Sequence, residues 1–268
     1  MTARTGWLPR SLDEEVPTAA RVYDYLLGGA HNFVADRRLG ERFLTALPSA
    51  RDVARLNRGF LRRAVLTLLG AGIRQFVDLG TGIPTAGSVH EITERAGRGC
   101  RVVYVDREPV AVAHSELLLR NDPHAAMLRA DLLDPDRVLG HPYTRRLLDF
   151  SEPIGLLLVG VLHFAFPQDR PEEVVRRYRE ALPSGSCLAL SHFTADLAPE
   201  NMRQVVEVMR GSANPVYPRS HAEVSAFFDG FELVEPGVVG TGLWRPEHAE
   251  DVRTPGAEQI YAGVGYKP

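Results

Sequence analysis

Lysine is almost missing from this chain. Of its 31 basic residues only Lys267 is a lysine, and the other 30 are arginines. No Gly-Lys-Ser/Thr phosphate loop can be written before the last few residues, which removes Walker-type nucleotide chemistry. The arginines are scattered, a pattern we read as coding bias, and the formal net charge is −3. Without a Lys/Arg cluster, neither a nucleic-acid partner nor an anionic membrane surface is expected. Cysteine is equally scarce: Cys100 and Cys187 stand beside or inside apolar runs. They are expected to be buried, reduced thiols, and no pairing of His and acids has metal-ligand spacing, so no metal is expected. No apolar run reaches membrane-spanning length, and the first residues are polar with no apolar leader core. These absences lead us to expect a soluble, cytoplasmic protein whose partner is a small molecule.

What is present is a folded-protein composition, 44% apolar over 268 residues, enough for one large domain or a domain with a cap. Residues 1–16 show no clear period and are expected to form a flexible arm. Residues 17–72 read as helices. Thr18 is placed to cap a short helix carrying Val22 and Leu26, ended by Gly28-Gly29; a second runs from about Asp36 to Leu47. A third carries Val53, Leu56, Phe60, Ala64, Val65 and Leu68 to the stop at Gly70 and Gly72. This block is expected to be an N-terminal helical cap or lid.

From residue 73 the pattern alternates. Short apolar runs at Gln75–Leu79, Arg101–Val105, Ala125–Ala130, Ile154–Val161 and Cys187–Ser191 are separated by helical periods, which implies parallel βαβ units. Two further strands, Phe231–Val234 and Gln259–Tyr266, have no helix between them and suggest a closing β-hairpin at the sheet edge. The expected fold is α/β: seven strands, mostly parallel, with an antiparallel edge strand, residues 73–268 forming one structural unit with the cap.

The chemistry-bearing stretch is Phe76-Val77-Asp78-Leu79-Gly80-Thr81-Gly82-Ile83-Pro84-Thr85. It reads as strand, glycine turn and helix start, with Pro84 near the first helical turn, where its missing N–H costs nothing. Such turns at the carboxyl end of a strand are where open α/β sheets bind nucleotide-like ligands. Three acids, Asp78, Asp106 and Asp131, end three successive strands. A carboxylate after the second strand suits two vicinal ribose hydroxyls, and one after the third suits an exocyclic adenine amine. Singly, such acids more often cap loops and helices than bind ligands. The dinucleotide fingerprint wants a third glycine where Thr85 stands, and the turn holds no Lys or Arg for a pyrophosphate. A ligand without phosphates fits better, such as S-adenosylmethionine.

Phe76 to Gly82 resembles the first motif of the Rossmann-like, class I SAM-dependent methyltransferases. Asp106 and Asp131 match that superfamily's ribose and adenine acids, and Phe231 to Gly237 resembles its closing strand segment. More narrowly, Ala20-Arg21-Val22-Tyr23-Asp24-Tyr25-Leu26-Leu27-Gly28-Gly29 with Asn32-Phe33 and Ala35-Asp36-Arg37 resembles a bacterial family described as S-adenosyl methyltransferase. The resemblance covers nearly the whole chain after residue 16. It implies SAM binding, not a substrate, and a cofactor site built from Asp78, Gly80, Thr81, Gly82, Pro84, Asp106, Arg107, Asp131 and Leu132. With the charge pattern, the expected function is methyl transfer from SAM to a small-molecule acceptor, at O or N. Pro84 departs from the pattern, standing where many members carry a third glycine.

In the cap, Tyr23, Asp24, Tyr25, His31 and Asn32 mix polar and aromatic groups densely. They form either a lid hinged at Gly28-Gly29 or a packed helix with a satisfied tyrosine and a surface Asp24. Arg21, Tyr23 and Asn32 are taken as further cofactor contacts, with Arg21 paired to a carboxylate, that of the methionine moiety or of Asp78. His163, just beyond the fourth strand, is the candidate general base; a structural histidine is the alternative, and His192 has a weaker case. Proximity and alignment alone suffice for many methyl transfers. Two other functions share these residues: a non-catalytic SAM or adenosine-ligand sensor, and an NAD-dependent oxidoreductase.

Overall fold

The computed structural model of the protein describes residues 12–84 and 87–268. Most of the expected arm, residues 1–11, lies outside them, as does Thr85.

Three helices come first, α1 (Ala19–Leu26), α2 (Val34–Ala46) and α3 (Ala50–Gly70). Strands and helices then alternate: β1 (Gln75–Leu79), α4 (Val89–Arg95), β2 (Arg101–Asp106), α5 (Pro109–Leu118), β3 (Ala125–Arg129), α6 (Pro135–Gly140), α7 (Pro142–Leu147), β4 (Gly155–Val159), α8 (Pro171–Ala181) and β5 (Cys187–Phe193). The last quarter holds α9 (Pro199–Met209), α10 (His221–Ala226), β6 (Glu232–Leu233), β7 (Val239–Gly240) and β8 (Ile260–Tyr266). The sheet order is β3-β2-β1-β4-β5-β8-β6, with β7 also on β8. The first five strands are parallel, and β8 runs antiparallel to β5, β6 and β7. The closing β6/β8 pairing is the one expected. β7, a two-residue strand with too short a run to show a period, is an addition.

Each parallel strand is buried on both faces, so alternate residues serve different layers. Val77, Leu79, Val103, Val105, Leu156, Leu158, Leu188 and Leu190 pack with residues of α6, α7, α8 and α10. Phe76, Val102, Tyr104, Leu157, Cys187 and Ala189 face the other way, onto Phe60, Ala64, Val65 and Leu68 of α3 and Ile92 of α4. The third helix therefore lies on the sheet itself. A separate apolar cluster joins α1 and α2 to α9, through Val22, Leu26, Leu39 and Phe43 against Met202, Val205 and Met209. Both cysteines are buried and free, and burial pushes the Cys187 thiol up to about 12.

Local signals decide several helix ends. Asp134 accepts the Arg137 N–H at 3.1 Å ahead of Pro135, and Ser220 with Glu223 forms a reciprocal capping box on α10. Two expectations fail. The Thr18 hydroxyl does not cap α1; it accepts from Arg21 Nε at 3.1 Å, because the buried guanidinium competes for the same oxygen. Pro84 does not open a helix. The chain turns at Gly87 (φ +86°) and is extended at Ser88, so α4 begins at Val89.

Arg63 of α3 fastens the C-terminal segment to the sheet layer. Buried beneath Trp244, it donates to the carbonyls of Trp244 (2.8 Å) and Thr241 (2.6 Å). Arg63→Met strips both carbonyls of a charged donor and is expected to cost about 2–4 kcal/mol in a urea unfolding titration. Arg62→Ala, which removes only an exposed pair with Glu247, is expected to change stability by less than about 1 kcal/mol. Equal effects would show that the two bonds do not hold this segment.

Candidate active site

The carboxyl ends of β1 to β5 open into a cavity of about 640 Å³, within the range of small-molecule sites. Its floor is the turn after β1. Gly80 sits at φ +72°, and a Cβ there would come within 2.2 Å of Val161 Cγ2. The turn is bound to the next strand by Gly80 N–H to Val105 O, 2.8 Å, and Thr81 N–H to Val105 O, 3.2 Å. Asp106 locks it from the far side. Its Oδ2 accepts the Gly82 N–H at 2.7 Å and its Oδ1 the Glu108 N–H at 2.8 Å. One carboxylate thus sets both the glycine turn and the start of α5.

Asp78, Gly80, Thr81, Gly82, Asp106, Arg107, Asp131 and Leu132 all line this cavity. Asp131 accepts from Arg107 Nη1 at 2.9 Å and from the Leu133 N–H at 3.0 Å. Pro84 does not line it; it borders a smaller hollow with Ile83, Ser88 and Tyr104, since the chain leaves the turn away from the strand ends.

The cap residues divide. Tyr23 lines the cavity, its hydroxyl donating to Ala54 O at 3.0 Å and accepting from Asn57 Nδ2 at 3.2 Å; Asn57 in turn accepts from Ser191 Oγ at 2.6 Å. Arg21 and Asn32 do not line it. Arg21 is fully buried and pairs with Asp36 at 3.2 Å and Glu108 at 3.8 Å, not with Asp78. Asn32 donates to Asp24 Oδ2 at 2.8 Å and to Gly29 O at 2.9 Å. Asp24 is buried, against the surface placement considered for it, and also accepts the His31 N–H at 2.9 Å. A Cβ on Gly29 would fall 2.0 Å from Asp24 Oδ1. This stretch is a hydrogen-bonded turn closed on a buried carboxylate.

His163 also lines the cavity, on the 3-10 turn Leu162–Phe164 that follows β4. Its Nδ1 accepts the Phe193 N–H at 3.5 Å, so in the neutral ring the proton resides on Nε2. Burial, with His192 and Arg219 nearby, holds the imidazole well below its usual 6.5. A ring so reluctant to gain a proton is a poor general base. His192 is outside the cavity, between Phe193 O and Arg219, and burial pushes it down to about 3.

Sequence reasoning missed Asn57, Arg58, Phe164, Phe193, Met209 and Val216 among the lining residues. Asn57 and Arg58 had a signal: they fall one turn after Val53 and Ala54, on a face of α3 beside the stripe of Val53, Leu56, Phe60, Ala64, Val65 and Leu68 that reads as packing. Arg58 donates to Gly87 O at 2.9 Å, and its positive charge acts on Asp78. Glu108 was missed as well. It caps α5 by accepting the Ala111 N–H at 2.7 Å, while its buried Oε1 has no hydrogen-bond partner among the described residues. Also among the described residues, no group of three His, Cys, Asp or Glu could hold a metal, and no helix is long and apolar enough to cross a membrane.

This cavity can be set beside known proteins. The family model for S-adenosyl methyltransferase matches residues 5–268. The chain belongs to that family. Two solved structures agree along nearly the whole length. A DUF574 family protein from Streptomyces avermitilis is 39% identical with a TM-score of 0.91, over 96% of this chain and 99% of that one. A Thermobifida fusca protein assigned to the methyltransferases is 41% identical with a TM-score of 0.92, over 98% and 99%. A more distant likeness, 11% identical with a TM-score of 0.52, is to the plantazolicin methyltransferase BamL, over 93% and 96%, and it shows the fold alone. Among curated proteins no relative matches. The fold is that of the SAM-dependent methyltransferases, and S-adenosylmethionine is the family's cofactor. The donor set fits it: carboxylates without a phosphate-binding lysine, and a glycine turn that admits no side chain at Gly80.

The buried acids give the site a pH dependence. Burial, with Asp106 adding repulsion, pushes Asp78 up from 3.8 to about 6. Burial likewise pushes Glu108 from 4.5 to about 7, with Arg21 opposing and Asp106 assisting. The folded chain therefore binds more protons than the unfolded one between about pH 4 and 7, and stability falls as pH rises through that window. For Glu108 the full effect is on the order of 2–3 kcal/mol. Glu108→Gln is expected to flatten the decline in urea midpoint between pH 5 and 8; a slope equal to the parent's would contradict this.

Proposed function

We propose that the protein catalyses methyl transfer from S-adenosylmethionine to a small-molecule acceptor at oxygen or nitrogen. The observation carrying this reading is the gathering of Asp78, Asp106 and Asp131, ends of three adjacent strands, around one cavity with the Gly80–Gly82 turn. In this reading Asp106 accepts the ribose hydroxyls. Asp131 accepts the adenine amine beside Leu132. The amino group of the methionine moiety lies near Asp78, and Arg58 meets its carboxylate, the role sequence reasoning had offered to Arg21. When bound, the cofactor supplies a methyl group made electrophilic by the sulfonium.

This chain's residues contribute position and exclusion of water. The order β3-β2-β1-β4-β5 puts the adenosine acids to one side of β1. The reacting end of the site then falls toward Gly160, Val161 and His163, with α1 and α3 above it. His163 orients an acceptor through its Nε2–H and does not take up a proton; the proton an acceptor hydroxyl or amine loses on methylation passes to solvent. Tyr23, its hydroxyl already satisfied, serves as wall. Catalysis rests on alignment.

Calorimetric titration with S-adenosylhomocysteine tests the cofactor assignment. Saturable binding is expected, weakened about 10–100-fold by Asp106→Ala and by Arg58→Met, the loss belonging to one charged hydrogen-bonding partner. Undiminished affinity in Asp106→Ala would sink the ribose assignment. Undiminished affinity in Arg58→Met would move the carboxylate contact elsewhere.

A further inference from the structure

The cavity is chemically divided. Every Asp, Glu and Arg on its wall, namely Arg58, Asp78, Asp106, Arg107, Glu108 and Asp131, belongs to α3 or to the loops and strand ends of β1 to β3. The wall beyond β4, closed by α1, the start of α3, β5 and α9, carries no charged side chain among the described residues. It is made of groups such as Val22, Phe43, Phe164, Phe193, Met209 and Val216. Its polar side chains are mostly spent. Tyr23 and Asn57 satisfy one another and Ala54 O, and Asn214 Oδ1 accepts the Ala19 N–H at 2.9 Å. His163 is the exception: Nδ1 is engaged by the Phe193 backbone, and Nε2 has no protein partner among the described residues.

We infer that this second half of the cavity binds an uncharged, ring-bearing alcohol of phenolic type, its rings against Phe164 and Phe193 and its oxygen accepting from His163 Nε2–H. Three constraints lead there. An anion or ammonium moved onto this wall loses hydration and meets no counter-charge. The aromatic side chains favour a flat apolar partner over an aliphatic polyol. A ring N–H needs an acceptor, and a hydroxyl oxygen offers two lone pairs, whereas an arylamine nitrogen delocalises its single pair into the ring. The inference rests on the methyltransferase reading for the role of this ligand, as acceptor, and on the wall alone for its chemistry.

The test uses three probes of one shape, 2-naphthol, naphthalene and 2-naphthoate, titrated at pH 7.5 into the full-length protein with and without saturating S-adenosylhomocysteine. Expected is saturable binding of 2-naphthol, about tenfold tighter than naphthalene, with 2-naphthoate at least 30-fold weaker than 2-naphthol. In His163→Phe the advantage of naphthol over naphthalene should vanish while naphthoate stays weak. Naphthoate binding as tightly as naphthol, or naphthol not binding in either state, overturns the inference, and the probe ranking on the unaltered protein decides even if the variant does not fold. Binding of the homocysteine product without naphthol would leave the cofactor reading standing and this one refuted. Naphthol binding in the expected order without the homocysteine product would do the reverse.

Discussion

Everything around the cavity depends on one buried charge cluster. Arg21 is sealed from solvent between Asp36 at 3.2 Å and Glu108 at 3.8 Å. Two carboxylates and a guanidinium out of water are costly unless their remaining donors and acceptors are met. Here nearly all are. Arg21 donates to Thr18 Oγ1 and to the carbonyls of Asp13 and Val16. Asp36 accepts the Thr18 and Phe33 N–H groups, and Glu108 accepts that of Ala111. The network joins the chain ahead of α1, the start of α2 and the start of α5. The cap is thereby fixed to the loop that carries Asp106. Only Glu108 Oε1 has no hydrogen bond among the described residues, and it is the oxygen that faces Arg21 at 3.8 Å.

The strand order converts this fastening into a division of labour. Because β1 has β2 on one side and β4 on the other, the strand-end acids collect on the β2–β3 side. The loops after β4 and β5 bring Phe164, His163 and Phe193 to the other. The same cavity is polar and charged at one end and apolar at the other. Asp106 shows how economical the polar end is: its two oxygens fix the Gly82 turn and the first turn of α5.

The layers of the fold were legible because the chain repeats simple periods. Alternation between strand and helix lengths located five parallel strands and the closing pair. The strand-end positions of Asp78, Asp106 and Asp131 followed from those strands alone. Periodicity identifies a buried face but not what buries it. Val53 was read as packing, and with Ala54, Asn57, Arg58 and Leu61, which drew no reading, it is in fact cavity wall. Met209 and Val216 reach the cavity only because α9 folds back onto α2, a contact with no local signal. The errors at Thr18, Pro84 and Arg21 have local and distant causes: Thr18 is taken by a side chain three residues on, Pro84 is overridden by the turn after it, and Arg21 by partners far along the chain. Thr18 yields its hydroxyl to Arg21, and Arg21 finds Asp36 and Glu108 before any ligand.

Most polar residues of the N-terminal signature are therefore spent within the cap. In the stretch from Tyr23 to Asn32, Asp24 is ringed by the His31 N–H, Asn32 Nδ2 and a Gly29 that leaves no room for a Cβ. Tyr25 packs on Gly40, where a Cβ would come within 2.4 Å of its ring. These contacts fold the cap and do not face a ligand. The apolar wall is drawn from Phe164, Phe193, Met209 and Val216 together with Val22, Leu26 and Phe43 of the cap. The polar signature residues thus hold the cap together, while in the proposed reading the acceptor end of the cavity is shaped largely by side chains on β5, α9 and the loops after β4 and α9.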